Sequence, residues 1–203
     1  MRSALQRWWS HWRARRRLRD HPWLTPAAAE GDFVRVTGVV KPLDQLLTAP
    51  LSARSCVAFC SRVAAATATG VPIPSTITFG QRSFAATRID LVPFALEYAQ
   101  GSTLVVEATA ATIELPPVSL APDTKSRKDQ FLLHEGTSLR ASINARFEEI
   151  VVEPGSRISV LGIVMLDPTT TPPTTELGFR DPPPPSIRLT GNAQHPLVIV
   201  HAT

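Results

Sequence analysis

From Phe33 onward the chain alternates apolar and polar positions, or runs in short apolar blocks, and many of these blocks are closed by Gly or Pro. Phe33-Val34-Arg35-Val36-Thr37-Gly38-Val39-Val40 alternates and is β-branched, the pattern of a half-buried strand. Cys56 to Val63 reads as a second strand, with Cys56, Ala58 and Cys60 on one face and Val57, Phe59 and Ser61 on the other. Ser75–Phe79 and Ser83–Leu91 suggest a hairpin about Gly80-Gln81. Thr103–Ala108 and Ala111–Leu115 follow. Phe147–Val152, the turn Glu153-Pro154-Gly155 and Arg157–Leu166 make a strand, turn, strand unit, and Ile187–Thr190 and Leu197–Val200 are short final strands.

Helical signals are few. Asp44–Leu47 is long enough for one turn, Ser138–Ala145 for a short helix, and the polar run 121–137 reads as a long loop. The 19 prolines interrupt helices and favour turns and strand edges. About eight strands separated by turns predict a mainly β fold: a single antiparallel, barrel-like domain over 32–203, OB-like, closed or partly open. Residues 22–31 read as a linker, and 1–21 as a basic helix.

Charge sets those first residues apart. The net charge is +4, but residues 1–21 hold seven arginines against Asp20 alone, a net of +6, which leaves −2 for the rest. The pI of 9.7 therefore describes a tail rather than a domain, and a basic barrel face for nucleic acid is not favoured. On a helix, Leu5, Trp8, Trp9 and Trp12 fall within about a 100° arc. Arg7, Arg13 and Arg17 lie away from it, while Arg15, Arg16 and Arg19 end the apolar face after two turns. Trp favours the membrane interface and Arg attracts anionic headgroups, so Leu5, Trp8, Trp9, Trp12, Arg13, Arg15, Arg16, Arg17 and Arg19 form a candidate contact with a membrane or a partner. Three other readings stand beside it. The Trp face could dock on the barrel, the segment could bind phosphates with stacking Trp, or it could be a transit peptide.

Two blocks carry a family resemblance. Gly38-Val39-Val40, Ala49-Pro50-Leu51-Ser52 and Cys56-Val57-Ala58 are followed by Arg146-Phe147-Glu148-Glu149-Ile150-Val151-Val152-Glu153-Pro154-Gly155 and Val160-Leu161-Gly162, with a closing Pro196-Leu197-Val198-Ile199-Val200. Together they resemble the GIDE or beside-a-membrane domain of MULAN-type ubiquitin ligases, here in a stand-alone form. The resemblance covers about 31–203 and implies a β-barrel working next to a membrane. Family members commonly carry transmembrane helices, but no window here approaches ~20 apolar residues. The ligases add a RING, which two cysteines and five scattered histidines cannot supply.

Candidate chemistry is sparse. Cys56 and Cys60 stand roughly 13 Å apart on one strand, too far for a disulfide with each other, and read as core thiols. His134, His195 and His201 read as surface residues. Glu148 and Glu149 are neighbours on a strand and face opposite sides. Pro182–Pro185 reads as a stiff solvated loop. No nucleotide, metalloprotease or hydrolase motif occurs. The expected function is a non-enzymatic interaction or scaffold module without cofactor or metal. It would be cytoplasmic, held at the inner face of an anionic membrane by residues 1–21, and engaged with a protein partner of unknown identity. The alternative is an OB-like single-stranded nucleic-acid binder.

Overall fold

The computed structural model describes residues 20–64, 86–107, 110–121, 124–136, 145–166 and 187–202. Among them the strands are β1 (Phe33–Pro42), β2 (Leu47–Thr48), β3 (Ser55–Cys56), β4 (Ala58–Ala64), β5 (Ala86–Leu91), β6 (Phe94–Glu97), β7 (Thr103–Val106), β8 (Ala111–Glu114), β9 (Arg146–Val152), β10 (Arg157–Leu166), β11 (Ile187–Thr190) and β12 (Leu197–His201). A helix, α1 (Lys125–His134), precedes β9. The chain is mainly β, and its contacts divide it into two compact units.

The first unit comprises the described residues of Met1–Leu43, Pro93–Glu114 and Gly155–Thr203. Its core is a closed five-stranded barrel, β1-β6-β7-β11-β10 and back to β1. Four of the five junctions are antiparallel, while β11 runs parallel to β7. After β7 the chain rejoins the barrel at β10, and β11, antiparallel to β10, runs beside β7 in the same direction. β12 continues the sheet from β10, and β8 lies parallel to β12. The barrel, expected to be antiparallel, thus contains one parallel pairing, and the sheet that extends from it contains a second.

Register identifies the interior. Val34, Val36 and Gly38 oppose Gly162, Val160 and Ile158. Val40 opposes Leu96, Leu96 opposes Leu104, Phe94 opposes Val106, and Leu189 opposes both Val106 and Val164. Apart from the two glycines these are buried apolar residues on a single face, each large one contributing about 1.5–3 kcal/mol by leaving water. The outer face of β10 and β12 is buried too. Leu161, Val198 and Val200 form a separate cluster with half-buried Phe33. This explains why β10 and β12 read as continuous apolar runs rather than alternating ones.

The β9–β10 turn follows the expected Pro-Gly chemistry. Gly155 has φ +81°, its N–H donates to Val40 O at 2.8 Å, and Val40 N–H donates to Ser156 O at 2.9 Å.

The second unit, Asp44–Val92 and Leu115–Pro154, is built from two insertions. One separates β1 from β6 and the other separates β8 from β10. The domain expected as one barrel over 32–203 is in this sense interleaved. β5-β4-β9 form a three-stranded antiparallel sheet and β2-β3 a short ladder. α1 buries Phe131 and Leu132 against Leu51 and Val63, with half-buried Ala86, Leu120, Ala145 and Phe147 around them. The loop expected over 121–137 is therefore largely helical. Its apolar residues, Phe131, Leu132 and Leu133, are contiguous in the last turn, so no 3.6-residue period shows in the sequence. The helical turn expected at Asp44–Leu47 is absent, because Leu47 pairs with Cys56 in β2–β3. The helix expected at Ser138–Ala145 falls, except for Ala145, outside the described residues, as do the Thr/Pro-rich run 167–186 and the hairpin tip at Gly80-Gln81.

Candidate functional site

The candidate contact residues Leu5, Trp8, Trp9, Trp12, Arg13, Arg15, Arg16, Arg17 and Arg19 lie outside the described residues. The end of the expected helix, Asp20 and His21, forms a turn and bend leading into Pro22. Part of the expected linker is docked on β1 through a single bridge. Trp23 bridges Arg35 in parallel, with Leu24 N–H donating to Arg35 O at 2.9 Å and Arg35 N–H donating to Pro22 O at 3.0 Å. β6 pairs with β1 only from Val39 onward, which leaves this stretch of edge open to the incoming chain. His21 meets Phe33 edge-on with ring centroids 4.9 Å apart, and His195 lies 5.8 Å from the same ring.

The two blocks that carry the family resemblance meet in the second unit. Phe147, Glu149 and Val151 share one face of β9, so alternation turns Glu149 inward, where it is fully buried. Its carboxylate accepts from Leu51 N–H at 2.8 Å, Ser52 N–H at 2.7 Å and Ser61 Oγ at 2.8 Å. Within Ala49-Pro50-Leu51-Ser52 the alanine side chain sits with Cys56, Phe59 and Val151, and the leucine with Val63, Phe131 and Leu132. Ala53 then takes a left-handed conformation, φ +59°, at a cost of about 1–2 kcal/mol for a residue with a Cβ. The turn is closed by Ala53 N–H to Ala49 O at 2.9 Å and Ala49 N–H to Arg54 O at 3.0 Å. Arg54 pairs with Glu153 at 2.9 Å on the surface. This is a structural latch: a buried acceptor holds a strained loop and offers no open position to a substrate. Its sequence signal is an acidic residue at an inward position of an otherwise apolar strand, which demands buried donors.

Glu148 faces the other side from Glu149, with its carboxylate 3.1 Å from Arg146. Among the described residues no group of three or more His, Cys, Asp or Glu side chains is arranged to hold a metal ion. His134 ends α1, and His201 shares a 2.6 Å hydrogen bond with Ala202 O.

Both thiols are buried. Burial, reinforced by the charge of Glu149, pushes Cys56 up to about 11 from an ordinary 9.0. Burial also raises Cys60, although Arg62 Nε donates to its sulfur at 3.0 Å and opposes the shift. Below pH 9 folded and unfolded chains both keep the Cys56 proton, and the stabilisation is fully present. As pH climbs from 9 toward 11 the unfolded chain releases it first, and stability falls. Folded protein at pH 8 is therefore expected to resist iodoacetamide and to take up two equivalents once unfolded in guanidinium, as read by intact mass. Alkylation of the folded protein at the rate of a free thiol would show that the core placement is wrong.

The outer face of β6 and β7 and their neighbours carries Lys41, Ala95, Glu97, Thr103, Val105 and Arg188. Lys41 pairs with Glu97 at 3.1 Å and Arg188 with Glu107 at 3.1 Å. Its cations are thus answered by carboxylates, and its strand positions hold no aromatic ring. No helix among the described residues is long and apolar enough to cross a membrane. In comparisons with protein-family models, curated proteins and solved structures, the chain matches none.

Proposed function

We propose that this protein is a non-enzymatic interaction module of the GIDE-like type, held peripherally at an anionic membrane by residues 1–21. The observation that carries this reading is the segregation of charge. A net of +6 with three tryptophans sits in the first 21 residues, and the remaining chain is net −2. Supporting it, the deeply buried polar chemistry at Glu149 is spent on holding a loop. With an apolar patch only two turns long, binding is weak and salt-sensitive. Full-length protein is expected to co-sediment with vesicles of phosphatidylglycerol in phosphatidylcholine, and protein lacking residues 1–21 to remain in the supernatant. Equal pelleting of the two would sink the proposal.

A second reading draws on topology. Counting only the barrel strands, the order is 1-2-3-5-4-1 with strands 3 and 5 parallel, the arrangement of an OB-like barrel, whose face over strands 2 and 3 binds single strands in many proteins. The paired cations and absent aromatics on that face remove the stacking and the uncompensated charge that such binding uses. The membrane reading is therefore preferred. Oligonucleotide binding that is salt-dependent and lost in Trp12→Ala would reverse that order.

A further inference from the structure

We infer that Trp23 and Arg35 form an anionic-headgroup site at the root of the N-terminal segment, on the outer wall of the barrel. The inference rests on the membrane reading and extends it from the tail to the folded unit. Arg35 projects from the outer face of β1, since its neighbours Val34 and Val36 fill the interior. Its guanidinium lies over the Trp23 ring, Cζ 3.9 Å from the centroid. Nε is buried and donates to nothing, and among the described residues the side chain makes no ion pair. Arg54, Arg88, Arg146 and Arg188 are held by carboxylates, whereas Arg35 is held by an aromatic ring and not by an anion.

Stacking engages the flat face of a guanidinium and leaves its in-plane donors free. With Nε sunk against the barrel, the Nη end is the edge a phosphate oxygen can reach. Partial desolvation strengthens that contact. Trp23 is 53% exposed although it is large and apolar. An indole with one face on a cation and the rest in solvent suits the interface between headgroups and acyl chains. The pair also lies two residues beyond the Arg/Trp segment, and the bridge to β1 fixes where that segment leaves the barrel. A lipid surface engaged by the tail would therefore meet this pair next.

The test compares the emission of the full chain with that of its Trp23→Phe variant, so that the difference isolates the Trp23 indole while Trp8, Trp9 and Trp12 stay in the tail. On phosphatidylglycerol-containing vesicles the Trp23 emission is expected to shift to the blue and to be quenched by brominated acyl chains. Arg35→Gln is expected to weaken vesicle binding about fivefold, the effect of one basic residue at an anionic surface, and Arg35→Lys to retain most of it. Circular dichroism checks that the variants fold; should Arg35→Gln fail to fold, the Trp23 emission decides. If the tail-dependent pelleting holds while Trp23 emission stays unchanged and Arg35→Gln binds like the parent, this inference falls and the membrane reading survives. If the full chain does not pellet at all, both fall. A shift produced equally by inorganic phosphate, or by an oligonucleotide and not by vesicles, would overturn the assignment to lipid.

Discussion

Replacing Glu149 by alanine is expected to destabilise the second unit by about 4 kcal/mol. The carboxylate is fully buried and satisfies three donors, the N–H groups of Leu51 and Ser52 and the Ser61 hydroxyl. Truncation strands the Leu51 N–H and the Ser61 hydroxyl inside the protein, each at about 1–3 kcal/mol, frees the half-buried Ser52 N–H, and leaves a void. The loss spreads, because the same loop seats Leu51 against Phe131 and Leu132 of α1 and Ala49 against Phe59 and Val151. Without the acceptor, less remains to offset the left-handed strain at Ala53. Glu149→Gln keeps one acceptor oxygen but turns an amide N–H₂ toward other donors, so about half the loss is expected. Urea unfolding followed by circular dichroism measures both variants, and hydrogen exchange at Leu51 and Ser52 localises the effect. A loss below about 1 kcal/mol for the alanine variant would show that the loop is held by packing alone.

The strands with the clearest periodicity were legible from sequence: β1 through its alternation, β10 and β12 through their apolar runs, and the β9–β10 turn through Pro154-Gly155. β6 was not. Its four residues, Phe94–Glu97, sit between Pro93 and Tyr98 and place only Phe94 and Leu96 inward, too short a pattern for a period to declare itself. Yet β6 is the strand that carries the barrel wall from β1 to β7. Closure was hidden for a related reason, since the parallel contact of β11 with β7 joins segments more than 80 residues apart and is only two residue pairs long. The Glu149 latch was half visible. Both of its blocks stood out, but their contact spans 97 and 98 residues, and a single sequence holds no record of such pairing. Trp23 and Arg35 looked like linker and strand surface, because a cation–π stack leaves no spacing signature.

Gly38→Ala is expected to cost about 3 kcal/mol, a large penalty for one methyl group. Gly38 sits where β1 hands over its partners, pairing with β10 as far as Val39 and with β6 from Val39 onward. At this handover a Cβ on Gly38 would overlap the carbonyl oxygen of Glu97 and stand 2.9 Å from both its carbonyl carbon and Leu96 Cγ. Neither neighbour can give way cheaply. Leu96 is fully buried, and Glu97 is held opposite Thr103, just before Tyr98 N–H donates to Ser102 O at 2.8 Å. The glycine is therefore required by close approach of backbone to backbone, the condition under which a strand-interior Gly repays its loss of packing. Gly155→Ala provides the contrast. Gly155 has φ +81° and open space where a Cβ would stand, so it carries only the left-handed penalty of about 1–2 kcal/mol. Urea unfolding of the two variants separates the effects. A smaller loss at Gly38 than at Gly155 would mean that the wall can relax at the handover and that the barrel is not closed tightly there.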